Sequence, residues 1–118
     1  MKTVIVTSFD IESVHCWRNA REVLPTMYYL SLTHLHKFVI TVEKQVANND
    51  NERPIEIIEF QRDIKQYLID KYWRDSIRCC DFGNQSCESI ATEILQKFDL
   101  DVCQVLEDGY WGSKVYKE

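Results

Sequence analysis

Chemistry in this 118-residue chain is most visible in its three histidines, His15, His34 and His36. Two of them lie in THLHKFVITVEKQV, residues 33–46. Read with a period of two, His34 and His36 share a side with Phe38, Ile40 and Val42, whereas Thr33, Lys37, Thr41 and Glu43 take the other, as in a half-buried strand. Imidazoles two residues apart on a strand are separated by about 7 Å along the backbone, which suits two adjacent vertices of a metal's coordination shell. His15 closes a second alternating run, on the side of Ile5, Phe9 and Ile11. If the two strands pair, all three histidines meet. Histidines on an apolar face also serve as packed core residues, but a third one on the equivalent face of another strand favours a metal site. Three neutral imidazoles, with no cysteine or carboxylate in the pattern, point to Zn²⁺ with an open fourth position, the catalytic arrangement.

The elements that must position these rings follow from periodicity. Residues 2–15 read as the first strand. Residues 16–32, CWRNAREVLPTMYYLSL, form a connection in which Pro25 breaks any long helix. The second strand runs to Val46 and ends at the turn-rich ANNDNERP, residues 47–54. After IEIIEF the period changes: Phe60, Ile64, Tyr67, Leu68 and Tyr72 recur at helical spacing, predicting a helix that ends near Trp73. The stretch DSIRCCDFGNQ reads as a linker. Ser86 is a good N-cap for a second helix, with Glu88 in its first turn and Ile90, Ile94, Leu95 and Phe98 as its buried stripe. Strands at Asp101–Glu107 and Gly112–Lys117, joined around Asp108 and Gly109, close the chain. The expectation is one α+β domain over residues 1–118, a four-stranded antiparallel sheet in the order ββααββ with both helices on one face.

Composition narrows the class. A net charge of −5 argues against a nucleic-acid coat. No window carries the roughly 18 apolar residues of a membrane span, and the N-terminal stretch alternates like a strand rather than a signal peptide. The five cysteines, an odd number without C-x-x-C spacing, read as reduced thiols of a cytoplasmic protein.

In order and spacing, FDIESVH (9–15), HLH (34–36), IIEF (57–60), NQSCESIA (84–91), and VLE (105–107) followed by Tyr116 resemble the signature segments of the 6-pyruvoyltetrahydropterin and 6-carboxytetrahydropterin synthase family. The resemblance covers nearly the whole chain with a few matching residues per segment. It implies the tunnelling fold, assembled as trimers or stacked hexamers with active sites between subunits. It also implies a zinc-dependent lyase acting on 7,8-dihydroneopterin triphosphate, with zinc on His15, His34 and His36. Glu107 matches the carboxylate that anchors the pterin, and Ser86 and Glu88 match a substrate-binding segment. Zinc would lower the pKa of the substrate's side-chain hydroxyls so that triphosphate can be eliminated.

The departures from the family pattern are specific. Leu30 stands where the family has its proton-abstracting cysteine, Leu35 replaces a glycine, Glu59 replaces an aspartate, and no histidine remains for an Asp-His relay. Cys16, Cys79, Cys80 and Asp75 are the candidate substitute bases, and Arg18, Arg21, Arg74 and Arg78 the candidate phosphate partners. Two functions follow: a lyase with a substitute base, or a binding or assembly module that keeps zinc and a pterin without turning it over.

Overall fold

The computed structural model describes residues 1–47 and 51–118; the middle of the expected 47–54 loop, residues 48–50, lies outside the described residues. Two 13-residue strands, β1 (Thr3–His15) and β2 (His34–Val46), form an antiparallel ladder in register along their full length, from Thr3 opposite Val46 to His15 opposite His34. Between them the chain makes a single helical turn, α1 (Ala20–Val23), and a 3₁₀ segment, Pro25–Ser31, with Pro25 at its start. The helix α2 (Ile57–Tyr72) follows, its first turn capped by the Glu56 carboxylate, which accepts from the Glu59 amide at 2.7 Å. Next come β3 (Trp73–Arg74), β4 (Cys79–Gly83), α3 (Cys87–Lys97), β5 (Val102–Glu107) and β6 (Trp111–Tyr116).

The sheet corrects the expected architecture. It has six strands in the order β3-β4-β1-β2-β5-β6 and is mixed, because β4 runs parallel to β1. The four-stranded antiparallel tunnelling-fold sheet in the order ββααββ is therefore not what the chain forms. The difference lies in CCDFG, read as linker: Cys80 and Phe82 alternate inward and are buried, while Cys79 and Asp81 stay half-buried. This strand touches β1 only over Ser13–His15, with a bulge between Val14 and His15. Five residues with two inward side chains carry too little periodicity to stand apart from a loop.

Both long helices contribute to one core. Ile64 and Leu68 of α2 and Ile90, Ala91, Ile94 and Leu95 of α3 pack with Phe9 and Ile11 of β1, Phe38, Ile40 and Val42 of β2, and Cys103 and Val105 of β5. Ser86 caps α3, its hydroxyl accepting from the Ser89 amide at 3.2 Å. At the β5–β6 turn, Asp108 and Gly109 both take positive φ, 55° and 79°, and the Tyr110 amide donates to the Glu107 carbonyl at 3.0 Å, a type I′-like closure. Gly112 is required for a different reason: a Cβ there would sit 1.9 Å from the Val105 carbonyl oxygen. No helix among the described residues is long and apolar enough to cross a membrane.

Candidate metal centre

The β1–β2 register brings the histidines together. His15 is the direct cross-strand partner of His34, and His36 lies two residues further along β2 on the same face. Ring centroids are 4.6 Å apart for His15–His34, 5.0 Å for His34–His36 and 5.4 Å for His15–His36. One ligating nitrogen from each ring lies within 4.8 Å of the others. The cluster sits at the end of the core, where Phe38 meets both the His15 and His36 rings edge to face.

The hydrogen bonds decide which nitrogen each ring presents. Nδ1 of His15 is 3.0 Å from the Gln85 carbonyl, Nδ1 of His34 is 2.7 Å from the Leu32 carbonyl, and Nδ1 of His36 is 2.7 Å from Oδ2 of Asp108. Carbonyl and carboxylate oxygens only accept, so each Nδ1 carries a proton, and Nε2 is the nitrogen each ring can offer a metal. An outer oxygen acceptor on Nδ1 is the usual support of a metal-binding imidazole. Burial pushes the His15 imidazole below its ordinary value, against the opposing influence of Gln85 and Glu107, and so favours the neutral ligating form. Its Nε2 is buried without a hydrogen-bond partner. An orphaned ring nitrogen inside a three-imidazole cluster is what a divalent transition metal would satisfy, and the donor set fits zinc.

Glu107 stands against this cluster. Its Oε1 is 3.3 Å from Nε2 of His15 and its Oε2 is 3.3 Å from Nε2 of His36. Cys87, buried at the head of α3, donates weakly from Sγ to Oε1 of Glu107 at 3.8 Å, and burial pushes that thiol up to about 12. Asp108 is fixed twice on β2, accepting from the Lys37 amide at 2.9 Å and donating its own amide to the Lys37 carbonyl at 2.7 Å. The Lys37 amide, and after it the His36 ring, hold the Asp108 carboxyl below the usual range.

A cleft of about 710 Å³ opens beside the cluster, a size that accepts a small organic molecule. His15, His34, Glu107, Ser86, Cys87 and Glu88 line it, with Trp17, Leu30 and Trp111 as apolar wall. Glu88 accepts from the Ser113 hydroxyl at 2.8 Å, and its carboxyl is held low by its own backbone amide and by that hydroxyl. Thus all the expected site residues, His15, His34, His36, Glu107, Ser86 and Glu88, converge at one end of the sheet.

The expected bases and phosphate partners divide. Cys16 lines the cleft. Cys80 is buried in the core and pushed up to about 11 by burial, which removes it as a base. Cys79 points its Sγ at the Cys80 carbonyl, and Asp75 accepts from the Trp73 indole at 2.8 Å on the β3–β4 hairpin. Arg74 pairs with Asp81 at 2.5 Å and Arg21 lies over the Tyr28 ring. None of the four arginines is among the described residues lining the cleft. Sequence reasoning missed Asp108, Gln85 and Cys87. For Asp108 a signal existed, since a hairpin aspartate next to a β5 carboxylate lies across from the H-x-H pair. For Gln85 no signal exists, because its backbone carbonyl does the work.

No protein-family model matches the chain, and no curated protein does. Among solved structures it is similar to an uncharacterized protein from Wolinella succinogenes, with a TM-score of 0.68 and 12% identity over 100% of this chain and 99% of that one. That similarity concerns the fold alone.

Proposed function

We propose that the protein is a zinc-dependent lyase whose substrate is 7,8-dihydroneopterin triphosphate, bound in the cleft beside His15, His34 and His36. The observation that carries the reading is the orphaned, buried Nε2 of His15 within the three-imidazole cluster. When bound, zinc supplies Lewis-acid polarisation of side-chain hydroxyls, which makes their protons easier to move. The chain's own residues supply the rest. Carboxylates such as Glu88 and Glu107 accept paired N–H donors of a pterin and fix its orientation. Trp17, Leu30 and Trp111 offer apolar surface to the ring. Cys16, next to His15 in sequence and lining the cleft, is the candidate substitute base. The five free cysteines support a cytoplasmic setting.

The second reading, a zinc- and pterin-binding module without turnover, is favoured by Leu30, an apolar residue in the cleft where the resembling family has its base. Incubation with dihydroneopterin triphosphate and zinc, followed by triphosphate and acetaldehyde assays, separates the two. Product formed by the wild-type chain and lost in His34→Ala supports the lyase. Pterin binding without product supports the module, and neither binding nor product removes both.

A further inference from the structure

Pterin anchoring by Glu107 describes a filled cleft, and the surroundings of its carboxylate bear on the state before the cleft is filled. Each Nδ1 faces an oxygen acceptor, so Nε2 is the nitrogen that His15 and His36 can offer a metal, and these two atoms stand 3.3 Å from Oε1 and Oε2 of Glu107. A carboxylate this close to the unpartnered Nε2 of His15 is repelled unless positive charge lies between them. The contact to His15 is not a hydrogen bond, because that Nε2 has no hydrogen-bond partner although Oε1 is so near. Ligands about 2.0–2.1 Å from a tetrahedral ion stand about 3.3–3.4 Å from one another. Both nitrogen–oxygen separations therefore match an edge of a coordination tetrahedron.

We propose that Glu107 is the fourth protein ligand of the metal held by His15, His34 and His36, closing a three-histidine, one-carboxylate set at rest. This rests on the metal reading above, and it replaces the open vertex expected of three histidines with an exchangeable carboxylate. The surroundings are built for that. Glu107 ends β5 opposite Phe38, which fixes its backbone beside the rings, and the Cys87 thiol stands 3.8 Å from Oε1 as a weak donor. A cleft molecule must displace Glu107 or add a further ligand to reach the metal, so occupancy of the cleft and release of Glu107 are coupled. The mixed nitrogen–oxygen set suits a divalent first-row metal, zinc foremost, and admits Co²⁺ as a spectroscopic stand-in.

The test uses the whole chain as wild type, Glu107→Gln, Glu107→Ala and His15→Ala. Zinc affinity is read by chelator competition and the coordination set by the visible spectrum of the Co²⁺-loaded protein. The expected result is at least tenfold weaker zinc binding in Glu107→Ala and a changed Co²⁺ spectrum in both Glu107 variants. The metal-free thermal midpoint of Glu107→Gln should equal or exceed that of wild type, since a carboxylate is removed from beside the unpartnered Nε2 of His15. Zinc affinity within threefold of wild type and an unchanged Co²⁺ spectrum in both variants would overturn the inference while leaving the metal centre standing, provided His15→Ala loses zinc. Failure of the wild-type chain to bind either metal would overturn the centre itself.

Discussion

Asp108→Asn isolates what a single outer carboxylate contributes to the cluster. Asn keeps one of the two accepting oxygens, enough to accept from Nδ1 of His36 while its amide nitrogen replaces the oxygen that accepts from the Lys37 amide, and it tolerates the left-handed backbone at φ 55°. What His36 loses is the charge on its acceptor. A hydrogen bond to a charged group contributes about 1.5–3 kcal/mol against about 0.5–1.5 for a neutral one, a difference of roughly 1–1.5 kcal/mol. The Asp108 side chain is 47% exposed, so solvent screening leaves about 1 kcal/mol or a little more. That corresponds to about five- to tenfold weaker metal binding, the low end of what outer-shell substitutions usually do. Chelator competition with zinc reads it directly, and the metal-free thermal midpoint should fall only modestly, through loss of the bond from the Lys37 amide. Asp108→Ala should weaken binding further and also lower the midpoint, because alanine is strained in the left-handed region by about 1–2 kcal/mol. Zinc affinity in Asp108→Asn equal to wild type would refute the reasoning that this carboxylate polarises His36.

Other expectations test the scaffold and its pH response. The unfolded chain takes up a proton on His15 near the ordinary value of 6.5, whereas burial holds the folded value lower, so the unfolded state binds more protons in between. Metal-free stability should therefore decline as pH falls below about 6.5 and stop declining once the folded value is passed; urea midpoints at pH 7.5 and 5.5 check this, and equal midpoints would contradict it. Gly112→Ala should cost at least about 2 kcal/mol, since its Cβ collides with the Val105 carbonyl and pushes β6 off β5; a stability loss below 1 kcal/mol in chemical unfolding would speak against it. Leu68→Ala, at a fully buried position between α2 and the sheet, should cost about 2–5 kcal/mol while leaving zinc affinity unchanged in whatever fraction remains folded.

The strands that carry the histidines were legible because they are long. Burial alternates from Thr7 to His15 in β1 and from Phe38 to Val42 in β2, and a one-residue slip would turn those positions outward, so pattern fixes which residues point inward. It fixes only the parity of the pairing; that His15 stands opposite His34 comes from the two strands pairing along their full length. The helices were legible for the same reason, with Ile64, Leu68, Ile90 and Ile94 at helical spacing. What stayed hidden was short or depended on the backbone. Strand β4 pairs over three residues of β1 and β3 spans two residues, so neither builds a period, and the sheet became six-stranded and mixed instead of four-stranded and antiparallel. At the site, residue types announced the imidazoles, but the Gln85 carbonyl that sets the His15 tautomer is invisible to any reading of side chains. Glu107 was singled out through the family resemblance alone, and its nearness to two ring nitrogens depends on how β5 registers with β2.

The measurement that bears most directly on the metal centre is elemental analysis of the protein purified without added metal, set beside His15→Ala and His34→Ala. Near-stoichiometric zinc in the wild-type chain, lost in both variants while far-ultraviolet circular dichroism shows the fold intact, is the predicted result. Absence of any transition metal from the wild-type chain, even after equilibration with zinc, would contradict the account, as would zinc retained in full when His15 is removed.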